Sequence, residues 1–306
     1  MKEYKIVVVC PYFGRLPENI EYTIKSMEYN TDFDWIIFTD NKELKRDAES
    51  NVSFINMSVE DLKKLIHDRI GTILKNVYKL CDYKILYGKI FEEYITNYDF
   101  WGYCDLDMVF GNIQGFIKEK ELLDKYDKIF DLGHFSLIRN EKNINDLYMK
   151  FEHYREILDS QYIYVLDESY NNHISINELL EDNNYKVYRD RESFFDIKFK
   201  FKNFYARNNM KNKFQYIEFK NGKMYLKNLI KQKHDKEIVY VHFQKRKFEK
   251  YDREDYKAHF YITPKGFLST MPKKEAFYRL YKYNFDLYIK VRIKRYIDNK
   301  KKKYKV

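Results

Sequence analysis

Asp105 and Asp107 stand on either side of Leu106, directly after the apolar run Phe100–Cys104 (FWGYC). On extended backbone, residues two apart face the same way, so both carboxylates can reach one point. Two bare carboxylates that close repel each other, and a hard divalent cation relieves the repulsion. Mg²⁺ and Mn²⁺ favour oxygen ligands and often take some from substrate phosphates, so this turn suits a metal–diphosphate complex. A pair of solvated loop acids is the plain alternative, since D-x-D triplets arise often by chance.

Four more polar groups could do chemistry. Asp82 lies on a mostly apolar stretch and needs a partner there, either a donor nucleotide or sugar, or Lys79, Lys84 or a backbone end. Asp40 follows the run Asp34–Phe38 (DWIIF), where it suits a ribose hydroxyl or base, or merely forms the turn. Pro11-Tyr12-Phe13-Gly14 offers an aromatic ring for a base and a glycine for close backbone approach, without the GxxxxGK[ST] of a phosphate loop. Asp167-Glu168 follows Tyr162–Leu166 and could take a proton from an incoming hydroxyl, or cap a helix.

These residues need a frame. Lys5–Cys10 (KIVVVC), Asp34–Phe38 and Val52–Met57 (VSFINM) are short, nearly continuous apolar runs, as expected of buried parallel strands. Leu16–Asn30 reads as a helix, and Ser58 with Asp61 reads as the capping start of another that reaches Ile70. Lys79–Tyr98 reads as a third helix, leading into Phe100–Cys104 as a fourth strand. This alternation implies an α/β fold with a mostly parallel sheet and flanking helices, whose ligands sit beyond the carboxyl ends of the strands. Pro11–Gly14, Thr39–Asn41 and Asp105–Asp107 all fall there. Farther on, Ile129–Leu132 and Phe135–Ile138 read as short strands, Ile144–Leu158 as helix and Ile238–Phe243 (IVYVHF) as a late strand. One catalytic domain over residues 1–270 is expected, with a basic helical tail over 271–306.

Composition narrows the class. The chain has 306 residues, 44% hydrophobic, with 31 Tyr and 24 Phe, so a large core and many hydroxyl-bearing rings are available. Codon bias in an A+T-rich genome is an equally good cause of that aromatic excess. Its three cysteines lack CxxC spacing, which argues against a disulfide framework or structural zinc and for reduced thiols beside strands. Tyr281–Val306 carries ten Lys or Arg against Asp286 and Asp298, most of the net +10, which leaves the rest near neutral and disfavours a nucleic-acid-binding body. Phe277–Ile297 mixes apolar and basic residues ahead of Lys300–Lys303, a pattern suited to an anionic membrane surface, or to a helix packed on the domain with a solvated end. With no signal peptide and no apolar run of membrane-spanning length, the expected place is the cytoplasm, either free or peripheral to the inner face of the plasma membrane.

FWGYCDLDMVFGNI resembles the DxD region of bacterial GT-A glycosyltransferases of capsule and lipopolysaccharide assembly. Lys79-Leu80-Cys81-Asp82-Tyr83-Lys84 resembles their K-x-x-D-x-K segment, and Gly133–Asn140 and His242-Phe243-Gln244-Lys245-Arg246 resemble later landmarks. More distant retaining relatives place an Arg three residues after the Asp; here that residue is Ile85 and the cation is Lys84. The resemblance implies a GT-A fold and a hexosyltransferase that moves a sugar, with retention, from a nucleoside diphosphate, UDP foremost, to a glycan or lipid-linked oligosaccharide. It implies His242 as a third metal ligand beside Asp105 and Asp107, Mn²⁺ or Mg²⁺ as the ion, and Lys245 and Arg246 on the diphosphate. Pro11, Tyr12, Asp40, Asp82, Lys84 and Asp105 would line the donor site, with Asp167 and Glu168 on the acceptor side. His134 and Arg139 would line the acceptor pocket or else be structural, and Lys245-Arg246-Lys247 could equally be a solvated face. The rival readings are a nucleotidyltransferase, which calls for a Gly-rich basic loop after the first strand, and a non-catalytic membrane-associated binding module.

Overall fold

The computed structural model describes residues 3–44, 49–168, 175–197, 204, 215–229, 235–244, 246–252 and 258–271. The tail expected over 271–306, apart from its first residue, and the candidate Lys245 lie outside these residues. The chain divides into two compact units, Met1–Leu106 with Asn112–Arg191, and Asp107–Gly111 with Glu192–Val306.

The first unit is built on the expected apolar runs. Strands β1 (Ile6–Pro11), β2 (Phe33–Thr39), β3 (Val52–Asn56) and β4 (Phe100–Cys104) form its parallel part, in the order β3-β2-β1-β4. Val7, Val8 and Val9 in β1, and Trp35, Ile37 and Phe38 in β2, are fully buried, which is why these runs do not alternate with polar residues. The short β5 (Met108–Phe110) follows β4 but belongs to the second unit. Strands β6 (Lys128–Ile129), β7 (Phe135–Arg139) and β8 (Val187–Tyr188) complete a seven-stranded sheet, β7 antiparallel to both β4 and β6. Glycine is required at Gly102 in β4, because a Cβ there would collide with the Ser136 carbonyl of β7.

Helices flank this mixed sheet. Helix α1 (Ile20–Glu28) precedes β2, and α2 (Val59–Ile70) follows β3. Ser58 and Asp61 form the capping box anticipated for α2, and Gly71 ends it at φ 77°, where a Cβ would be strained. The stretch expected as one helix over Lys79–Tyr98 is instead a chain of single turns, 3₁₀ at Val77–Lys79 and Lys84–Leu86, α at Leu80–Tyr83, Tyr87–Ile90 and Glu92–Ile95. Ile144–Leu158 is likewise broken, into turns at Lys142–Asn145, Leu147–Lys150 and Tyr154–Asp159. The core is formed by β1, β2 and β4 packed against α2 and the broken helical stretch. No helix among the described residues is long and apolar enough to cross a membrane.

The second unit is all β in its described part. Strands β9 (Phe194–Asp196), β10 (Gln215–Lys220), β11 (Lys223–Asn228), β12 (Lys236–Ile238), β13 (Tyr240–His242), β14 (Lys250–Tyr251), β15 (His259–Thr263) and β16 (Gly266–Leu268) form two sheets, ordered β5-β13-β9 and β12-β11-β10-β15-β16-β14. The run Ile238–Phe243 is therefore two strands in different sheets. At the change, Val239 donates its N–H to the Ser193 carbonyl and accepts from the Gly111 N–H.

Candidate functional site

In the first unit the ends of β1 and β2 are tied together. Pro11 closes β1, the Tyr12 N–H bonds the Phe38 carbonyl at 2.8 Å, and Asp40 accepts from the Gly14 N–H at 2.9 Å. The Tyr12 hydroxyl reaches the Arg15 carbonyl at 3.2 Å. Two of the three expected loops thus meet, with Asp40 exposed on their rim. At the end of β4, Cys10 and Cys104 are buried free thiols with sulfurs 2.9 Å apart, and the Asp105 N–H bonds the His134 carbonyl at 2.9 Å.

Each charged residue of the segment Lys79–Lys84 has a defined place. Lys79 and Asp82 form an ion pair at 2.7 Å with both side chains fully buried. The Asp82 oxygens also accept from the Tyr164 and Val165 N–H groups, at 2.6 to 3.1 Å. Val165 sits at φ 58°, a conformation a β-branched residue rarely adopts, so Asp82 holds a strained turn two residues before Asp167. Asp82 is thereby committed to Lys79 and this turn, the neighbour-pairing alternative noted from the sequence. Lys84 points the other way. Its ammonium reaches Asp105 Oδ1 and the Gly133 carbonyl, each at 2.7 Å, and lies 3.6 Å from Asp167 Oδ2.

The resulting Asp105–Lys84–Asp167 chain is strongly polarised. Burial disfavours the Lys84 charge, but Asp105 and Asp167 outweigh it and hold the ammonium well above the ordinary lysine range. Burial pushes the Asp167 carboxyl up to about 7 against the pull of Lys84, with Glu168 adding to the rise. Asp167 Oδ1 has no hydrogen-bond partner among the described residues, and a Cβ on Gly133 would strike this carboxyl. Glu168 is only partly buried. Nearby in the sheet, Lys128 is fully buried, donating to the Phe130 carbonyl at 2.6 Å and the Ser136 hydroxyl at 3.0 Å; burial lowers its pKa to about 7, against Asp131 and Asp167. Arg139 is bonded to Asp127 and to the Leu123 and Tyr126 carbonyls, while His134 is buried.

Asp107 opens the second unit, where strand pairing brings it to His242. β13 runs antiparallel to β5, setting His242 opposite Met108, and the Phe243 N–H bonds the Asp107 carbonyl at 2.9 Å. His242 Nε2 lies 3.5 Å from Asp107 Oδ1. β13 also runs parallel to β9, with His242 in register with Asp196 and its Nδ1 2.9 Å from Asp196 Oδ1. Gln244 donates from Nε2 to both Asp196 oxygens, at 2.9 and 3.0 Å. Asp196 was not singled out from the sequence, because an Asp after two phenylalanines carries no motif and its histidine lies 46 residues on. Arg246 donates to the Pro264 carbonyl at 3.0 Å, with its guanidinium over the rings of Phe204 and Phe248.

The donor chemistry of Asp107 and His242 fits a divalent cation. Ligand atoms about 2.1 Å from a shared ion stand roughly 3 Å apart, and the 3.5 Å between Nε2 and Oδ1 needs little adjustment.

The sequence matches the family described as a family of unknown function, DUF6625, over residues 8–271. The chain belongs to this family. No curated protein matches it. Among solved structures it is similar to 4-diphosphocytidyl-2C-methyl-D-erythritol synthase from Anaerococcus prevotii, at 12% identity and a TM-score of 0.34, over 61% of this chain and 87% of that one.

Proposed function

We propose that this member of the family is a metal-dependent GT-A glycosyltransferase, transferring a sugar from a nucleoside diphosphate to a hydroxyl of a growing surface glycan. The observation that carries the reading is the pair formed by Asp107 and His242, 3.5 Å apart, with Asp107 following soon after the buried strand β4 in sequence. Asp105, Asp107 and His242 would hold Mn²⁺ or Mg²⁺, two carboxylates with one imidazole being a set that suits Mn²⁺ somewhat better. When bound, the ion would neutralise the donor diphosphate and act as a Lewis acid toward the leaving group.

The rest falls to the chain's own side chains. Lys84 orients Asp105 through its 2.7 Å bond and keeps positive charge beside the acidic turn. Asp40 and Tyr12, on the rim where β1 and β2 end, would take the ribose and base of the donor. Asp167 has a carboxyl poised near neutrality, the range that suits proton transfer, and the less buried Glu168 beside it is the one an acceptor hydroxyl can reach. A UDP-linked donor is the first choice, with GDP- and CDP-linked donors as comparisons.

The test is donor hydrolysis and transfer with Mn²⁺, with Mg²⁺ and with EDTA. Activity is expected only with the ion, and Asp107→Ala should lower it by at least about 100-fold, the scale of losing a main electrostatic element of a site. Full activity in Asp107→Ala, or in EDTA, would overturn the reading.

A further inference from the structure

Asp196 has no place in any of the roles above, yet it is the one carboxylate in the strands of the second unit's small sheet, and both its oxygens are bonded. Its side chain is buried, with 3% of the residue exposed, and it lies on the strand parallel to the one that carries His242. Oδ1 is 2.9 Å from His242 Nδ1, and both oxygens accept from the Gln244 amide. An ionised carboxylate is acceptor-only. The Gln244 amide group can only donate, and it occupies a place on each oxygen. The hydrogen on the Asp196–His242 contact must then come from the ring. That puts a proton on Nδ1, and in the neutral ring the Nε2 lone pair then faces Asp107, 3.5 Å away.

We infer that Asp196, steadied by Gln244, is the positioning residue that sets the tautomer and the ring plane of His242, presenting Nε2 as the ligand atom. The inference rests on the metal reading for its purpose, but not for its geometry. A buried histidine with no such partner can turn its ring or place its proton on either nitrogen. Here both choices are settled before an ion arrives, so no ring rotation accompanies binding. Outer partners of this kind typically change metal affinity by about 10–100-fold. The backbone supports the same arrangement: the Ile197 N–H bonds the His242 carbonyl at 2.8 Å, so the two strands cannot slide without breaking the side-chain pair.

The experiment uses the full chain, labelled with ¹⁵N-histidine, with His242→Gln to assign the resonance. In the metal-free protein near neutral pH, His242 should show a protonated Nδ1 and an unprotonated Nε2. In Asp196→Leu this preference should be lost. Mn²⁺ affinity, read by electron paramagnetic resonance, should fall about 10–100-fold in both Asp196→Leu and Gln244→Leu. Gln244→Leu keeps the carboxylate and so guards against a folding defect at Asp196. A wild-type His242 with its proton on Nε2 would overturn the inference, as would wild-type Mn²⁺ affinity in both variants. If the wild-type protein shows the expected tautomer, loses it in Asp196→Leu and binds no Mn²⁺, the positioning role stands and the metal reading falls.

Discussion

Lys128 offers a sharp test of the energetics of the first unit. Its ammonium is enclosed in the sheet with the Phe130 carbonyl and the Ser136 hydroxyl as its direct partners among the described residues, and burial lowers its pKa to about 7 from an ordinary 10.5. A lysine pKa depressed in the folded state contributes stability that is fully present above 10.5 and is lost as pH falls toward 7, because the unfolded chain takes up the proton first. At 1.36 kcal/mol per unit, the full effect is on the order of 5 kcal/mol, spread over that window at about 1 kcal/mol per pH unit. Lys128→Met keeps the length of the side chain and removes the titration. It leaves the Phe130 carbonyl paired, because the Ser136 hydroxyl also donates to it at 2.9 Å. Urea unfolding followed by tryptophan fluorescence reports this unit directly, since Trp35 and Trp101, the chain's two tryptophans, lie in β2 and β4. Between pH 7 and 9 the wild type should gain on the variant by about 1 kcal/mol per pH unit, and the variant should be the more stable at pH 7. Titrating groups that do not interact with Lys128 cancel in the difference, and the window above pH 7 lies beyond most of the titration of Asp167, which does. Parallel pH profiles for the two proteins would refute the reasoning.

Asp82→Ala should cost about 3–5 kcal/mol, because it leaves the Lys79 ammonium buried and unpaired and releases the turn at Val165; a thermal melt within a few degrees of wild type would contradict this. Asp167 has a folded pKa raised to about 7, so its contribution is complete below pH 4 and is lost as pH rises toward 7. Asp167→Asn should flatten that decline, and its stability relative to wild type should rise between pH 4 and 7 in the same unfolding assay. Gly102→Ala should lower stability by about 1–3 kcal/mol, since the added methyl meets the Ser136 backbone rather than a side chain that can move; an unchanged urea midpoint would show that β4 and β7 can separate without cost.

Strands β1, β2 and β4 were legible because they are buried on both faces, which turns a strand into an unbroken apolar run such as Val7-Val8-Val9, whereas β3 is only partly buried. The start of α2 was legible because Ser58 and Asp61 satisfy the backbone locally. Lys79–Tyr98 shows the opposite case. Its apolar spacing gave the buried side, but its turns bend where Lys79, Asp82 and Lys84 reach partners from 21 to 83 residues away. Periodicity carries no record of such partners. Ile238–Phe243 was read as one strand because the change of sheet at Val239 is a matter of backbone bonds to Ser193 and Gly111. At the candidate site, Asp105, Asp107 and His242 stood out through motif and resemblance, whereas Asp196 became visible only when β9 and β13 were paired.

The pairing of β9 with β13 also works as a ruler. Asp196 and His242 are matched by counting along two three-residue strands, not by the length of chain between them. A residue inserted or removed outside the strands leaves the match intact, while a one-residue slip inside either strand turns the paired side chain to the opposite face. The spacing within Phe194–Asp196 and Tyr240–His242 is therefore what the side-chain pair depends on.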